Sequence, residues 1–358
     1  MRFGLTNINK FLVGEQRRNP AIAGDFSMLI SDVVRSCKAI SQSVSLGRLI
    51  LRDVNGETAP ETLGATTPLK DVANQTFLHH CEWGGHLAAI SSAEMDSIYT
   101  PPTDGRRGNY LLLLDPLDGS ANIDINLSVG SIFSVLRCPE HNRDASVEDF
   151  LQPGANQVAA GYALYGSSTI LVLTIGSGTH GFTLDREIGE FLLTHPHMTV
   201  PEETQSFAIN TSKERFWEPP IRRYVDECLD GQTGIRGKDF NMRWAAAMVA
   251  DVHRLLMRGG VFLYPRDTRD PDMPGRTDLL HKANPMAMLI EQAGGMASTG
   301  YERISRIAPQ ALHQRTPVIL GSRAEIERIE RYHADYLSGD DKPFSSPLFG
   351  TRSLFRPE

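Results

Sequence analysis

The spacing of apolar positions changes several times along the chain, and each change marks an element. Residues 6–18 and 24–52 carry helical spacing. In the second, Leu29, Ile30, Val33, Val34, Cys37 and Ile40 share one face, and Asp25 or Ser27 stands where a cap belongs. Four leucines in a row, Leu111 to Leu114, read as a short strand buried on both faces. Pro116 fixes φ and has no N–H, so that strand is expected to stop at Asp115. Residues 128–135, SVGSIFSV, suit another strand, in which Gly130 lets a neighbouring backbone come close. The segments VAAGYALYGSSTILVLTIG and THGFTLD, within 156–185, predict two more strands in hairpin order.

Residues 186–205 are polar and broken by prolines, which predicts a boundary between an N-terminal domain, 1–195, and a C-terminal domain, 196–358. The second domain opens with FAINTSKERFW, followed by a helix through Pro220 to Leu229. A helix over 241–257 then presents Met248, Val249, Val252, Leu255 and Leu256 as a core face, and Gly259-Gly260 ends it before the strand VFLYP. Asn284 opens a further helix, with Pro285 in its first turn and Gly294-Gly295 at its end.

Composition narrows the class without changing the map. A chain of 358 residues with 41% hydrophobic and 22% charged residues suits one large or two moderate globular domains. A net charge of −7 argues against nucleic acid as a partner, because binding a phosphate backbone needs a basic face. No apolar run approaches a membrane span, and MRFGLTNINK lacks the apolar core of a secretory signal, so a cytoplasmic protein without a membrane partner is expected. Cys37, Cys81, Cys138 and Cys228 show no C-x-x-C pairing and read as reduced core thiols.

The chemistry concentrates in Tyr110 to Val135, YLLLLDPLDGSANIDINLSVGSIFSV. Asp115 and Asp118 flank Pro116 and Leu117, so two carboxylates and the Leu117 carbonyl converge at a strand's end, while Gly119 and Ser120 offer backbone N–H groups just beyond. A hard-cation site beside an anion site is what phosphoryl transfer to water requires. The competing reading is a common hairpin turn with Asp115 as a cap.

This stretch resembles the signature of the class 1 fructose-1,6-bisphosphatases, roughly DPLDGSSNIDxNxSVGTIF. The resemblance extends over GEQRR, GDFSMLISDV, the block from Gly234 to Asp267 and NPMAMLIEQAGGMASTG, as far as the RSLFR tail. It implies the layered α/β/α/β/α sugar-phosphatase fold of the lithium-sensitive phosphatase superfamily, a homotetramer, a sugar bisphosphate as substrate and Mg²⁺ as cofactor. It further implies Asp115, Leu117 and Asp118 as metal ligands, and Asp118, Gly119, Ser120 and Ala121 as contacts to the reacting phosphate, with Ala121 replacing a second serine. Asn210, Tyr264 and Arg276 match contacts to the distal phosphate and the sugar, Arg276 in place of a lysine. Arg243 matches an arginine that reaches into a neighbouring subunit's site, a task suited to a guanidinium fork.

Other positions depart from the pattern. The family reads L-D-V-x-[AS]-N-[DE] and then S-E-E; here Lys70, Gln75 and Ala93 replace three acids and Glu94 alone remains to orient water. A one-residue slip would put Asp71 in place of Lys70 but disturb the match at Ala73 and Asn74. Where the family has G-K-L-R-L-x-Y-E-A, this chain has Gly275 to Ala283, with Lys282 in place of the glutamate that completes the metal site. The family gathers seven carboxylates around its metals. This chain keeps Glu94, Asp115 and Asp118 and adds Lys70 and Lys282, which leaves a net charge of −1 there. At most one weakly held Mg²⁺ is expected, and Gln75 has no basicity with which to activate water.

Three readings follow. The first is hydrolysis of the 1-phosphate of fructose 1,6-bisphosphate, as in gluconeogenesis or the Calvin cycle, with sedoheptulose 1,7-bisphosphate as an alternative substrate. The second is a catalytically reduced relative that binds a sugar bisphosphate as a sensor or oligomer partner, with Lys70 and Lys282 replacing metal charge. The third is another member of the wider superfamily, which the second-domain match disfavours.

Overall fold

The computed structural model describes residues 5–18, 24–47, 49, 66–102, 107–140, 143–270, 273 and 275–340; the end of the expected helix 24–52 and the RSLFR tail lie outside them. Three helices come first, α1 (Ile8–Arg18), α2 (Gly24–Leu46) and α3 (Thr66–Cys81). A seven-stranded sheet follows in chain order: β1 (Leu87–Ser92), β2 (Tyr110–Asp118), β3 (Val129–Arg137), β4 (Ala159–Tyr165), β5 (Thr169–Thr174), β6 (Thr179–Asp185) and β7 (Glu190–Met198). β1 and β2 are parallel and the rest form an antiparallel meander, with the short helix α4 (Val147–Phe150) between β3 and β4.

The second half supplies β8 (Ser206–Ile209), α5 (Pro219–Leu229), β9 (Asn241–Met242), α6 (Met248–Arg258), β10 (Val261–Tyr264) and β11 (Thr277–Asp278). A π-helical turn over Leu279–Ala283 leads into α7 (Asn284–Gln292), β12 (Met296–Ser298), β13 (Arg315–Thr316), β14 (Val318–Gly321) and α8 (Arg323–Ser338). β12, β14, β10, β8 and β9 lie side by side as a five-stranded sheet, and β11 pairs with β13.

The cores show how these pieces stack. Strand residues alternate between faces, so Leu112 and Leu114 pack with Phe26, Val33 and Phe77 of α2 and α3, while Leu111 and Leu113 pack on the opposite side with Phe150 and Leu280. Further along that second face, Ile132, Tyr162 and Val172 meet Val252 and Leu255 of α6, Leu289 and Ile290 of α7, and Phe262 and Leu320 of the second sheet. The far side of the second sheet, Phe207, Ile209, Leu263 and Ile319, packs on Tyr224 of α5 and Ile326 and Ile329 of α8. The order is helices, sheet, helices, sheet, helices, the layered α/β/α/β/α arrangement the resemblance implies. All four cysteines are buried free thiols.

Several boundaries differ from expectation. β2 does not stop at Asp115. It runs through Pro116 to Asp118, where three steps along β2 face two along β3, a bulge that absorbs the missing proline N–H. The Pro116 carbonyl accepts a hydrogen bond from Ser131 Oγ at 2.7 Å. Gly130 is the expected point of close approach, since a Cβ there would meet the Ala163 carbonyl oxygen at 2.3 Å. The segment 158–176 folds into two strands, β4 and β5, because Gly166-Ser167-Ser168 turns the chain. The polar stretch 186–205 contains β7, whose outer positions are half-exposed and therefore polar. Helix 241–257 begins only at Met248: Asp118 Oδ2 accepts from Val249 N at 3.0 Å, and the Asp251 carboxylate accepts from Ala245 N at 3.2 Å, so these side chains take up N–H groups at the helix start.

Candidate active site

The ends of β1 and β2, the start of α6 and the π-helical turn meet at one point. Asp115 and Asp118 project from the bulged end of β2 and are buried. Gly119 then adopts the left-handed conformation, φ +74°, and a Cβ on it would lie 2.5 Å from Ala247 Cβ. Beyond it Ser120–Asn122 form a 3-10 turn, which Asn122 anchors by donating from Nδ2 to the Ala245 carbonyl at 3.0 Å. The first N–H groups of such a turn have no acceptor within it and are available to an anion.

Opposite these carboxylates sits Lys282. Its Nζ lies 2.6 Å from Asp115 Oδ2, outside hydrogen-bond geometry, and donates to Asp118 Oδ1 at 2.9 Å. Burial alone would lower the pKa of this lysine, but Asp115 and Asp118 hold it well above its ordinary value. Burial raises the pKa of Asp115, with the Lys282 ammonium pulling the other way and Asp118 adding to the rise. Nearby, Lys70 Nζ on α3 donates to Glu94 Oε1 at 2.7 Å, just past the end of β1. Asn74 and Ser92 join at 2.7 Å, and Ala93 N donates to the Leu114 carbonyl at 2.8 Å, which fixes the start of the Ala93-Glu94 segment against β2.

Of the two candidates Lys70 and Asp71, Lys70 faces Glu94 and Asp71 is exposed. Gln75 is also exposed on α3, and Arg243 lies exposed beyond β9, donating to the Met242 carbonyl at 3.4 Å. The other sugar-side residues are brought together. Asp118, Lys282, Tyr264, Arg276, Trp244 and Arg315 line a cavity of about 590 Å³. Tyr264 and Arg276 also line a second one of about 590 Å³, with Asn210, Lys213, Arg266 and Arg269. Trp244, Phe262 and Tyr264 stack with ring planes within 13° of parallel. Lys213, Arg266, Arg269, Arg315 and Trp244 escaped sequence reasoning; the basic residues flanking Tyr264 in YPRDTR were the one signal available. Asp267 is drawn into this basic rim, where hydrogen bonds from Arg269 lower its pKa despite partial burial and Arg276 Nε lies 3.4 Å away.

Residues 6–196 match the family model for the fructose-1-6-bisphosphatase N-terminal domain, and residues 200–334 match that for the C-terminal domain. The chain belongs to the fructose-1,6-bisphosphatase family. It is 56% identical over 352 residues to the class 1 fructose-1,6-bisphosphatase of Hydrogenophilus thermoluteolus, covering 98% of this chain and 97% of that one. It is 54% identical over 356 residues to the class 1 enzyme of Methylacidiphilum infernorum, covering 99% of each. The holo-form crystal structure of the Leishmania major fructose-1,6-bisphosphatase superposes with a TM-score of 0.80 at 36% identity, covering 92% of this chain and 99% of that one.

The family generally uses divalent metal ions. The donor set here does not fit a resident ion at Asp115 and Asp118 while Lys282 is in place, because its ammonium already bridges both carboxylates. An ion at this point would meet a like charge and have to displace the lysine.

Proposed function

We propose that this chain binds fructose 1,6-bisphosphate along the two joined cavities and hydrolyses its 1-phosphate. The observation that carries this reading is the continuity of the cleft: Tyr264 and Arg276 border both cavities, with Lys282 and Arg315 at one end and Asn210, Lys213, Arg266 and Arg269 at the other. A cleft with Lys282 and Arg315 among its lining at one end and Lys213, Arg266 and Arg269 at the other, joined by a tyrosine and an arginine, suits a sugar carrying a phosphate at each terminus. In this proposal Lys282 and the N–H groups of Gly119, Ser120 and Ala121 take the 1-phosphate, and Glu94 orients the water and receives its proton. Lys282 supplies positive charge where metal ions do so in relatives, at the expense of rate. Asn210, Tyr264 and Arg276 contact the distal phosphate and sugar. Arg243, exposed on one subunit, completes a neighbour's site in a cytoplasmic homotetramer.

The Lys282 bridge also favours a second reading, a relative that binds the sugar bisphosphate with little turnover. Phosphate release from fructose 1,6-bisphosphate with and without Mg²⁺, against an Asp118→Ala control, separates the two. Release no faster than the control would end the hydrolase reading. Calorimetric binding without Mg²⁺, weakened by Lys282→Glu, would then leave the binding reading standing. Parallel runs with sedoheptulose 1,7-bisphosphate choose between substrates.

A further inference from the structure

We propose that Asp278, His281 and His313 form a cation site, outside the cleft, that takes one divalent transition ion of the Zn²⁺ class. One ligand atom from each lies within 4.8 Å of the other two. His281 Nδ1 is 2.8 Å from Asp278 Oδ1, His313 Nδ1 is 3.5 Å from Asp278 Oδ2, and the two imidazole rings stack with centroids 5.3 Å apart. None of the three residues lines either cavity of the cleft.

The outer hydrogen bonds select this reading. His313 Nε2 is 2.9 Å from the Met95 carbonyl oxygen, which only accepts, so that nitrogen carries the hydrogen. In the neutral ring Nδ1 then presents a lone pair to a carboxylate oxygen across 3.5 Å, and a cation between them relieves the repulsion. His281 differs: its Nδ1 donates to Asp278 Oδ1 at 2.8 Å and its Nε2 lies 2.7 Å from Ser91 Oγ, so ion binding would take the hydrogen from Nδ1 to Nε2, where the Ser91 hydroxyl can turn to accept it. A ligating imidazole whose far nitrogen is held by a carbonyl or hydroxyl is the usual outer support of a metal site. Asp278 is fixed too, since Oδ1 accepts from His281 N at 3.0 Å.

Two imidazoles and one carboxylate suit Zn²⁺ or a neighbouring transition ion and not Mg²⁺, which prefers an octahedron of oxygens. Asp278 and His281 are buried, whereas the His313 side chain is 33% exposed and leaves an entry route. Arg315, the register partner of Asp278 across β11 and β13, donates from Nη1 to the Arg276 carbonyl at 3.2 Å. An ion here joins the segments around Ser91–Met95, Asp278–Lys282 and His313. It thereby stiffens the turn that aims Lys282, the next residue after His281, at the two aspartates. This role does not depend on whether the cleft hydrolyses its ligand.

The test uses the full chain, stripped with chelator and dialysed against Zn²⁺, with metal counted by mass spectrometry and Tm recorded. One equivalent and a raised Tm are expected, Co²⁺ should give the visible absorption of a nitrogen-ligated site, and Mg²⁺ should compete for neither. His313→Gln and Asp278→Asn should each weaken Zn²⁺ binding by more than roughly 100-fold. A wild-type chain that retains no Zn²⁺ would mean that His313 and Asp278 form a proton-bridged ion pair, and the proposal would fall. It would fall equally if both variants kept the wild-type stoichiometry. The wild-type count and the Co²⁺ spectrum decide the matter even if a variant fails to fold.

Discussion

Two stretches face each other across the cleft, Asp115–Ala121 and Thr277–Ala283. The first follows the family's wording nearly letter for letter, while the second departs from it at Thr277, Asp278, His281 and Lys282. Yet neither has a defined charge alone. Asp115 and Asp118 form a buried repulsive pair until Lys282 bridges them at 2.6 and 2.9 Å, and Lys282 is a half-buried cation without a partner until they face it. A change in one stretch therefore alters the chemistry of the unchanged one.

The largest blow to that pairing is Lys282→Glu. It sets a third carboxylate against two, with an expected loss of roughly 3 kcal/mol in the absence of divalent ions, because an uncompensated buried charge is left behind. Mg²⁺ should raise the Tm of this variant and leave that of the wild type unmoved; equal responses would mean that Lys282 does not exclude the ion. Next comes Gly119→Ala. Its left-handed φ and the 2.5 Å approach to Ala247 Cβ together predict a loss of about 2 kcal/mol in urea unfolding, and unchanged stability would show that the turn can shift.

A subtler effect concerns Asp251 in the first turn of α6, whose pKa burial raises to about 6 against the opposing Ala245 N–H bonds, with Asp118 adding to the rise. Its folded value lies above its unfolded one, so its contribution to stability is full below about 3.8 and is lost as pH rises through about 6. Asp251→Asn should flatten that fall across the same window, seen by unfolding at a series of pH values. The smallest effect is expected at Lys70→Met. The Lys70–Glu94 pair is 30% and 26% exposed, so its loss should cost under about 1 kcal/mol and vanish at high salt. A cost like that at Lys282 would make the two lysines equivalent, although Glu94 is 26% exposed and Asp115 and Asp118 are buried.

Much of the site is legible in the sequence. Asp115, Asp118 and Gly119 sit together because they are neighbours in sequence at a strand's end, where local geometry leaves few choices. The departures at Lys70 and Lys282 were legible as well, but not their partners, which lie 24 positions away for Lys70 and 164 for Lys282 measured to Asp118. The helix start at Met248 was missed for the same reason, since Asp118 caps it from 131 positions away. Lys213, Arg266, Arg269 and Arg315 carry no motif; a basic residue on a loop looks the same whether it faces a cavity or bulk water.

The sequence by itself determined the elements whose causes are local. The four leucines of β2 make a strand buried on both faces, α2 has a single apolar face, and Gly259-Gly260 and Gly294-Gly295 end their helices. The tertiary structure alone decided what those elements bring together. Lys282 takes the place between two aspartates, and the π-helical turn stacks His281 on His313 beside Asp278. Charge and ligand geometry depend on distances across the fold, which folding sets through packing of the layers and which no spacing along the chain encodes.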